Sequence, residues 1–414
     1  MPVVSPAMNE NPFDRRPPRR ILLVCTQRIG DVLLATPLAR SMKRAWPEAE
    51  IHFLAFRGTE GVLAGNPDIT RVIAFPQRTD WRGKLAQFRQ LWRKYDLAVT
   101  PMPTDRARLY AWVAAPIRVG FVTAEAKEKS KTLLLSRWLT FDDQDTHTVA
   151  MGERLTELLG IPARYQVVPP ALAPDALAAS LARLAPLGGL PYVVLHPYPK
   201  FPYKMWRQAA WAELASWLMA QGLGVVLTGG PDKDEVAYCG QVAARITAMT
   251  LAGSTEYAGR GDFPSPPAPL PEGEGSGVSR FATSSGLVPL LDLSGQMNLA
   301  ETAEIVGRAR LYVGPDTAVT HIAAATGVAS IALFGPSNPV KWGPWPKGWQ
   351  GPASPWPRQG SARHGNVHLI QGPGDCVPCL LEGCDRHQAS LSQCLQDIPV
   401  DTVIKAAQEM LASK

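Results

Sequence analysis

The chain has 414 residues, 46% of them hydrophobic, with 42 basic and 36 acidic side chains and a formal charge of +6. This length exceeds one ordinary domain and predicts two separate cores. No apolar run approaches the roughly 18 to 20 residues of a membrane span, and the N-terminus lacks an apolar signal core, so a cytoplasmic protein is expected. The cationic excess suits phosphates, nucleic acid or an anionic membrane surface, and equally an ordinary basic surface.

Residues 1–20 are rich in proline and arginine and end in RRPPRR; they read as a disordered basic leader. ILLVC (21–25) is a short branched run, followed by a turn and then VLLATPLARSMKRAW, with Leu34, Leu38, Met42 and Ala45 at helical spacing. The pattern repeats in IHFLAF (51–56), RVIAF (71–75), a polar helix running to Trp92, DLAVT (96–100) and RVGF (118–121). Short apolar runs alternating with amphipathic helices predict a parallel, doubly wound sheet over residues 21–171.

LAPDALAASLARLAPLGGLP (172–191) reads as an interdomain connector. A second α/β series fills 192–414: YVVLHP (192–197), a helix from Trp211 to Met219, GVVLTGG (224–230), LDLSG (291–295), RLYVG (310–314) and SIALFG (330–335). Residues 256–288, with their FPSPPAPLPEGEGSG tract, predict a disordered surface insertion. MTLAGSTE (249–256) and LDLSGQMNLAE (291–301) compete for one strand beside it, and the second is favoured because AETAEIVGRA continues it as a helix.

Ligands of parallel α/β sheets collect beyond the carboxyl ends of strands, where four strings are unusual. In GPDTAVTHIAAATG (314–327), Asp316 or Thr317 can cap a helix that Gly327 ends, and Thr317 and His321 share a face near free N–H groups. That arrangement suits a diphosphate, and equally a capped helix with a core histidine. In RIGDVLLATP (28–37), Asp31 can be a helix cap or a general base facing a cleft, with Gly30 permitting close approach. HPYPKFPYKMW (196–206) offers Lys200 or Lys204 to a phosphate, and TGGPDKDE (228–235) offers Asp232, Asp234 or Glu235 to ribose hydroxyls.

Six cysteines form no disulfide framework, and Cys25 and Cys239 read as buried reduced thiols. Cys376, Cys379, Cys384 and Cys394, spaced C-x2-C-x4-C-x9-C with His387 among them, are candidates for structural zinc or for reduced packing thiols.

These strings together resemble glycosyltransferase family 9, the lipopolysaccharide heptosyltransferase family. The resemblance runs from about Ile21 to Leu411. It is carried by G-D-V-L-x-x-T-P at Gly30 to Pro37, K-x-W at Lys204 to Trp206, D-T-x-x-x-H-x-A-A-A at Asp316 to Ala325 and F-G-P at Phe334 to Pro336. It implies a GT-B fold, two Rossmann-like domains facing each other across a cleft, with the acceptor held by the first and the nucleotide sugar by the second. It implies a metal-independent, inverting transferase with no required cofactor, whose donor is ADP-L-glycero-D-manno-heptose and whose acceptor is the lipid-linked inner core of lipopolysaccharide. Asp31 then falls at the general-base position, Lys204, Thr317 and His321 at donor-phosphate positions, and Asp316 and Ala318 in the same donor loop, with Ala318 standing where many relatives have glycine. Asp234 or Glu235 aligns with a nucleotide-contacting acid. Arg28, Gly30 and Arg57 are acceptor candidates. Arg57, Arg78, Arg82, Arg106, Arg108 and the leader are candidates for contact with the anionic acceptor or the cytoplasmic face of the inner membrane.

Two rival classes remain weaker. A nicotinamide-dependent dehydrogenase or epimerase would carry G-x-G-x-x-G after the first strand, where RIGD supplies one glycine. A non-catalytic sugar-nucleotide or nucleic-acid binder fits the net charge, but no interleaved aromatic and basic motif supports nucleic acid.

Overall fold

The computed structural model describes Phe13 and residues 16–258, 278–283 and 286–412. Most of the leader expected at 1–20, and 259–277 of the expected insertion, lie outside the described residues. The chain divides into two compact units: Met1–Ala171 with Val340–Trp356, and Leu172–Pro339 with Pro357–Lys414.

The first unit is built on six strands: β1 (Arg20–Val24), β2 (Glu50–Phe56), β3 (Arg71–Phe75), β4 (Leu97–Thr100), β5 (Ile117–Val122) and β6 (Arg137–Thr140). They pair in parallel in the order β3-β2-β1-β4-β5-β6. Ile21, Leu22, Leu23 and Val24 are all fully buried, which explains why β1 reads as a continuous apolar run rather than an alternating one. The sequence after β1 predicts one helix, but the structure breaks it in two, Ile29–Leu34 and Thr36–Ala45. Pro37 lies in the first turn of the second helix, where its missing N–H disturbs nothing.

The second unit holds β7 (Tyr192–Leu195), β8 (Gly224–Leu227), β9 (Val278–Thr283), β10 (Gly286–Asp292), β11 (Leu311–Pro315), β12 (Ser330–Phe334), β13 (Ala362–His364) and β14 (Val367–Gln371). Their order is β13-β14-β12-β11-β7-β8-β10-β9, parallel except for the antiparallel edge strands β9 and β13. The six inner strands repeat the 3-2-1-4-5-6 winding of the first sheet. The two faces of β7 bury into different cores: Val193 and Leu195 pack with Trp206 and Trp211, while Tyr192 and Val194 pack with Ile305 and Tyr312.

Three features depart from the sequence reading. Residues 340–356, expected in the second domain, belong to the first unit. Trp345 and Trp356 are buried there, and the Trp345 ring lies 4.5 Å from that of His147 and 6.3 Å from that of Tyr165. The connector 172–191 is part of the second unit, with the helix Pro174–Ala182, a buried Leu187 and an Arg183–Glu301 ion pair at 3.5 Å. Within 256–288, residues 256–258 finish the helix Lys233–Ala258, and β9 and the start of β10 follow. MTLAGSTE is therefore helical, and LDLSG supplies the end of the strand as expected.

Candidate active site

In a 3-2-1-4-5-6 sheet the chain leaves in opposite directions from the two central strands, so the loops after them part and open a crevice. In the second unit those strands are β7 and β11. The loop after β7 carries His196 and Lys204, and the loop after β11 carries Asp316 and Thr317. The fold thus brings together residues 112 positions apart: Lys204 Nζ donates to Asp316 Oδ2 at 2.5 Å, and Ser337 Oγ donates to the same oxygen at 2.6 Å.

Thr317 is the N-cap of the helix Ala318–Thr326: its Oγ1 accepts the Thr320 N–H at 3.4 Å, and Gly327, at φ +90°, closes the other end. Thr320 Oγ1 donates back to the Pro315 carbonyl at 2.5 Å and contacts the Tyr312 hydroxyl at 2.9 Å, fixing the turn to the strand. The first-turn amides of Ala318 and Val319 face outward along the helix axis and are donors for an anion.

Burial opposes ionisation of Asp316, but the Lys204 ammonium, His321 and the two side-chain hydrogen bonds outweigh it and hold the carboxyl below its usual value. His321 is buried, and its Nδ1 has no hydrogen-bond partner among the described residues. Burial pushes it down to about 4, with Asp316 raising and Lys204 lowering it, so the ring is neutral at pH 7. A neutral imidazole, an ammonium and a helix N-terminus converge on one strand end. That set of donors is chemically suited to an anion, and the Asp316 carboxylate is already matched to Lys204.

Asp234 and Glu235 stand one strand away, after β8, in the first turn of the helix Lys233–Ala258. Asp234 is exposed, and its amide donates to Asp232 Oδ1 at 3.0 Å. Glu235 folds over the TGG turn so closely that a Cβ on Gly230 would meet its Oε2 at 2.7 Å. Burial raises its carboxyl, opposed by the Gly230 N–H and reinforced by Asp232. Lys200 is exposed, with Nζ 5.7 Å from the Phe201 ring.

In the first unit Arg28, Gly30 and Asp31 form one turn at the end of β1. Arg28 is the N-cap of the helix Ile29–Leu34, and its N–H donates to Asp31 Oδ2 at 3.2 Å. Asp31 is 8% exposed, and its charge reaches the fully buried Cys25, whose thiol is pushed up first by burial and then by that charge. Arg57 is not in this turn: with Arg71, Thr79 and Gln90 it lines a separate groove of about 410 Å³ between β3 and the helix Trp81–Leu91. Arg108 is corrected from an acceptor candidate to a structural residue. It is fully buried, donating to the Phe121 carbonyl through Nε at 3.2 Å and Nη2 at 3.0 Å.

Lys341 escaped the sequence reading. Its ammonium pairs with Asp143 and sits 5.3 Å and 4.8 Å from the ring centroids of Phe141 and Trp342. Thr148 Oγ1 donates to its carbonyl at 3.1 Å, and His147 Nε2 meets the Gly343 carbonyl at 2.7 Å. Burial lowers Lys341 to about 8 against the charges of Asp31 and Asp142, so Asp31 has a cation within electrostatic reach. The detectable signal was a lone lysine inside the aromatic, proline-rich string SNPVKWGPW. Ser337 was equally silent, since only the fold joins it to Asp316.

The four late cysteines gather together, since the charges of Cys379, Cys376 and Cys384 all act on Cys394. Among the described residues no group of three or more His, Cys, Asp or Glu side chains is arranged to hold a metal ion. Cys394 is buried while Cys376 and Cys384 are exposed, and Cys384 Sγ already accepts the Gln393 N–H at 3.3 Å. The Cys394 thiol is raised to about 11, by burial first and then by the neighbouring cysteines.

Two Rossmann-like units, each wound 3-2-1-4-5-6 with polar residues at a central strand end, define the GT-B class of glycosyltransferases. Solved structures agree on the fold. A family 9 glycosyl transferase from Veillonella parvula superposes with a TM-score of 0.67 at 18% identity, covering 96% of this chain and 98% of that one. An ADP-heptose lipopolysaccharide heptosyltransferase II from Escherichia coli superposes with a TM-score of 0.65 at 18% identity, covering 95% and 99%. In sequence, lipopolysaccharide heptosyltransferase 3 of Escherichia coli is 27% identical over 331 residues, 76% of this chain and 83% of its own length. The model of glycosyltransferase family 9 (heptosyltransferase) matches residues 84–260 and 278–353. The chain belongs to glycosyltransferase family 9, and it is a glycosyltransferase.

Proposed function

We propose that the chain transfers L-glycero-D-manno-heptose from ADP-heptose to the lipid-linked inner core of lipopolysaccharide, with inversion at the anomeric carbon and without a metal. The observation that carries this reading is the strand-end constellation of Lys204, Asp316, Thr317 and His321, which offers cationic and N–H donors where a leaving diphosphate would gain charge. In the transfer, an acceptor hydroxyl gives its proton to the Asp31 carboxylate. Its oxygen attacks the anomeric carbon from the face opposite the diphosphate, and the bond to the β-phosphate oxygen breaks, leaving its electron pair on that oxygen. Lys204 and the amides beginning at Ala318 stabilise the departing charge, the part a divalent cation plays in many transferases. Asp234 and Glu235 stand at the strand next to β7, where ribose hydroxyls of a nucleotide could be accepted. Two relatives named for heptosyl transfer to lipopolysaccharide and for ADP-heptose support the choice of donor and acceptor.

Asp31→Asn tests the base. It keeps an oxygen for the Arg28 N–H, so folding is expected to persist, while kcat falls by about 10²- to 10⁴-fold. Turnover of ADP-heptose within about threefold of wild type would remove Asp31 from this role.

A further inference from the structure

Two neighbouring helices of the first unit, Trp81–Leu91 and Asp105–Ala114, present outward faces that a water-exposed surface does not call for. Their inner faces are packed: Gln87 and Leu91 of the first and Ala107, Tyr110 and Ala111 of the second are buried, and the Tyr110 hydroxyl donates to Gln87 Oε1 at 2.8 Å. Exposed to water are Trp81 (68%) and Leu85 (40%) on the first, Trp92 (56%) at its C-cap, and Leu109 (38%) and Trp112 (46%) on the second. Trp81 and Leu85 are four apart and share one helix face, and Trp92 is the C-cap residue that follows the helix. The Arg93 N–H donates to the Val113 carbonyl at 3.0 Å, which sets Trp92 and Trp112, each one residue away, beside the same junction.

Charge accompanies this apolar surface. Residues 78–94 carry Arg78, Arg82, Lys84, Arg89, Arg93 and Lys94 against the single carboxylate Asp80. Arg82 lies 5.3 Å from the Trp81 ring centroid and Arg93 5.8 Å from that of Trp92. Two of the three exposed indoles, Trp81 and Trp92, thus carry a cation of their own, as interfacial side chains do at the depth of lipid headgroups. The helix of 11 residues is too short to span a bilayer, and no helix among the described residues is long and apolar enough to do so.

We propose that this face docks the first unit on an anionic bilayer surface, with Trp81, Trp92 and Trp112 at headgroup depth and the arginines of the helix Trp81–Leu91 and its C-terminal flank on lipid phosphates. A globular partner would be recognised by a groove or by mixed charge, whereas exposed indoles flanked by cations of one sign complement a flat, negative, amphipathic surface. The inference rests on the transferase reading only in that a lipid-linked acceptor lies in such a surface; the docking itself needs no turnover.

The test is co-sedimentation of the full chain with vesicles of phosphatidylcholine alone and with 30% phosphatidylglycerol added (about 30%, enough for a negative surface potential), with tryptophan emission read in parallel. The expected result is binding to the anionic vesicles that weakens with salt and is accompanied by a blue shift. Trp81→Ser/Trp92→Ser/Trp112→Ser and Arg89→Glu/Arg93→Glu should each lower the partition coefficient by about tenfold or more. Transfer to a soluble, delipidated acceptor should be unchanged in the tryptophan variant, which also shows that it has folded. Wild-type protein that ignores anionic vesicles, variants that bind as wild type does, or a tryptophan-dependent dimer in sedimentation velocity without vesicle binding would each overturn the proposal. Failure of the transferase reading has a different signature, namely vesicle binding with no turnover of any acceptor.

Discussion

Lys204→Ala separates what the Lys204–Asp316 pair does for the fold from what it does for transfer. The two side chains are 18% and 9% exposed, and Asp316 keeps one hydrogen bond, from Ser337, when the ammonium is removed. Breaking a buried pair by deleting one partner costs about 3 to 5 kcal/mol. Partial solvent access to Lys204 and the surviving Ser337 bond place this case lower, at about 2 kcal/mol, a fall of roughly 5 °C in melting temperature. Turnover should fall further, by about 10²- to 10³-fold in kcat, because a cation facing the leaving diphosphate is lost. The double variant Lys204→Ala/Asp316→Asn carries no stranded carboxylate, so it should regain most of the melting temperature and none of the turnover. Differential scanning fluorimetry and initial rates with ADP-heptose read the two effects independently. A Lys204→Ala protein that melts lower but turns over within about threefold of wild type would refute the donor-phosphate role while leaving the structural pair intact.

Glu153 is buried, with Oε2 accepting from Ser41 Oγ at 2.6 Å and the Arg164 N–H at 3.0 Å, and burial raises its carboxyl to about 7 from 4.5. A raised carboxyl favours the fold below its ordinary value, and the contribution is lost as pH rises through about 7. Glu153→Gln, whose amide oxygen can accept both bonds, should therefore gain about 3 kcal/mol over wild type in urea titrations at pH 8 and little at pH 4. Lys341→Met removes the cation within reach of Asp31, so the acid limb of kcat/KM should move up by about one pH unit. Lys341→Arg should restore that limb, and an unmoved limb in both would show that Lys341 acts only on packing. Transfer should continue at the wild-type rate in excess EDTA; loss of activity recovered by added magnesium would contradict leaving-group stabilisation by Lys204 and the helix amides.

Both sheets were legible because their central strands are buried on both faces, leaving runs such as ILLVC and YVVL that no other element explains at that length. The strand-end strings were legible for a related reason, since a glycine and an acid at the close of an apolar run have few other uses. What stayed hidden depends on contacts far apart in sequence. Nothing in FGPSNPVKWGP says that Ser337 turns to Asp316 in one unit while Lys341, four residues on, pairs with Asp143 in the other. Cysteine spacing, likewise, gave no hint that Cys394 is buried while Cys384 is exposed.

The return of Val340–Trp356 to the first unit bears on how the protein can be made and cut. The chain passes between units after residues 171, 339 and 356, so the first unit is not a contiguous piece of gene. A fragment ending at Ala171 would leave His147 and Tyr165 without Trp345, and a ribosome finishes that unit only after most of the second has emerged. Splitting the protein for expression would require residues 340–356 to be supplied as a peptide or grafted after residue 171. A protease nick in any one of the three crossings would still leave two covalent tethers.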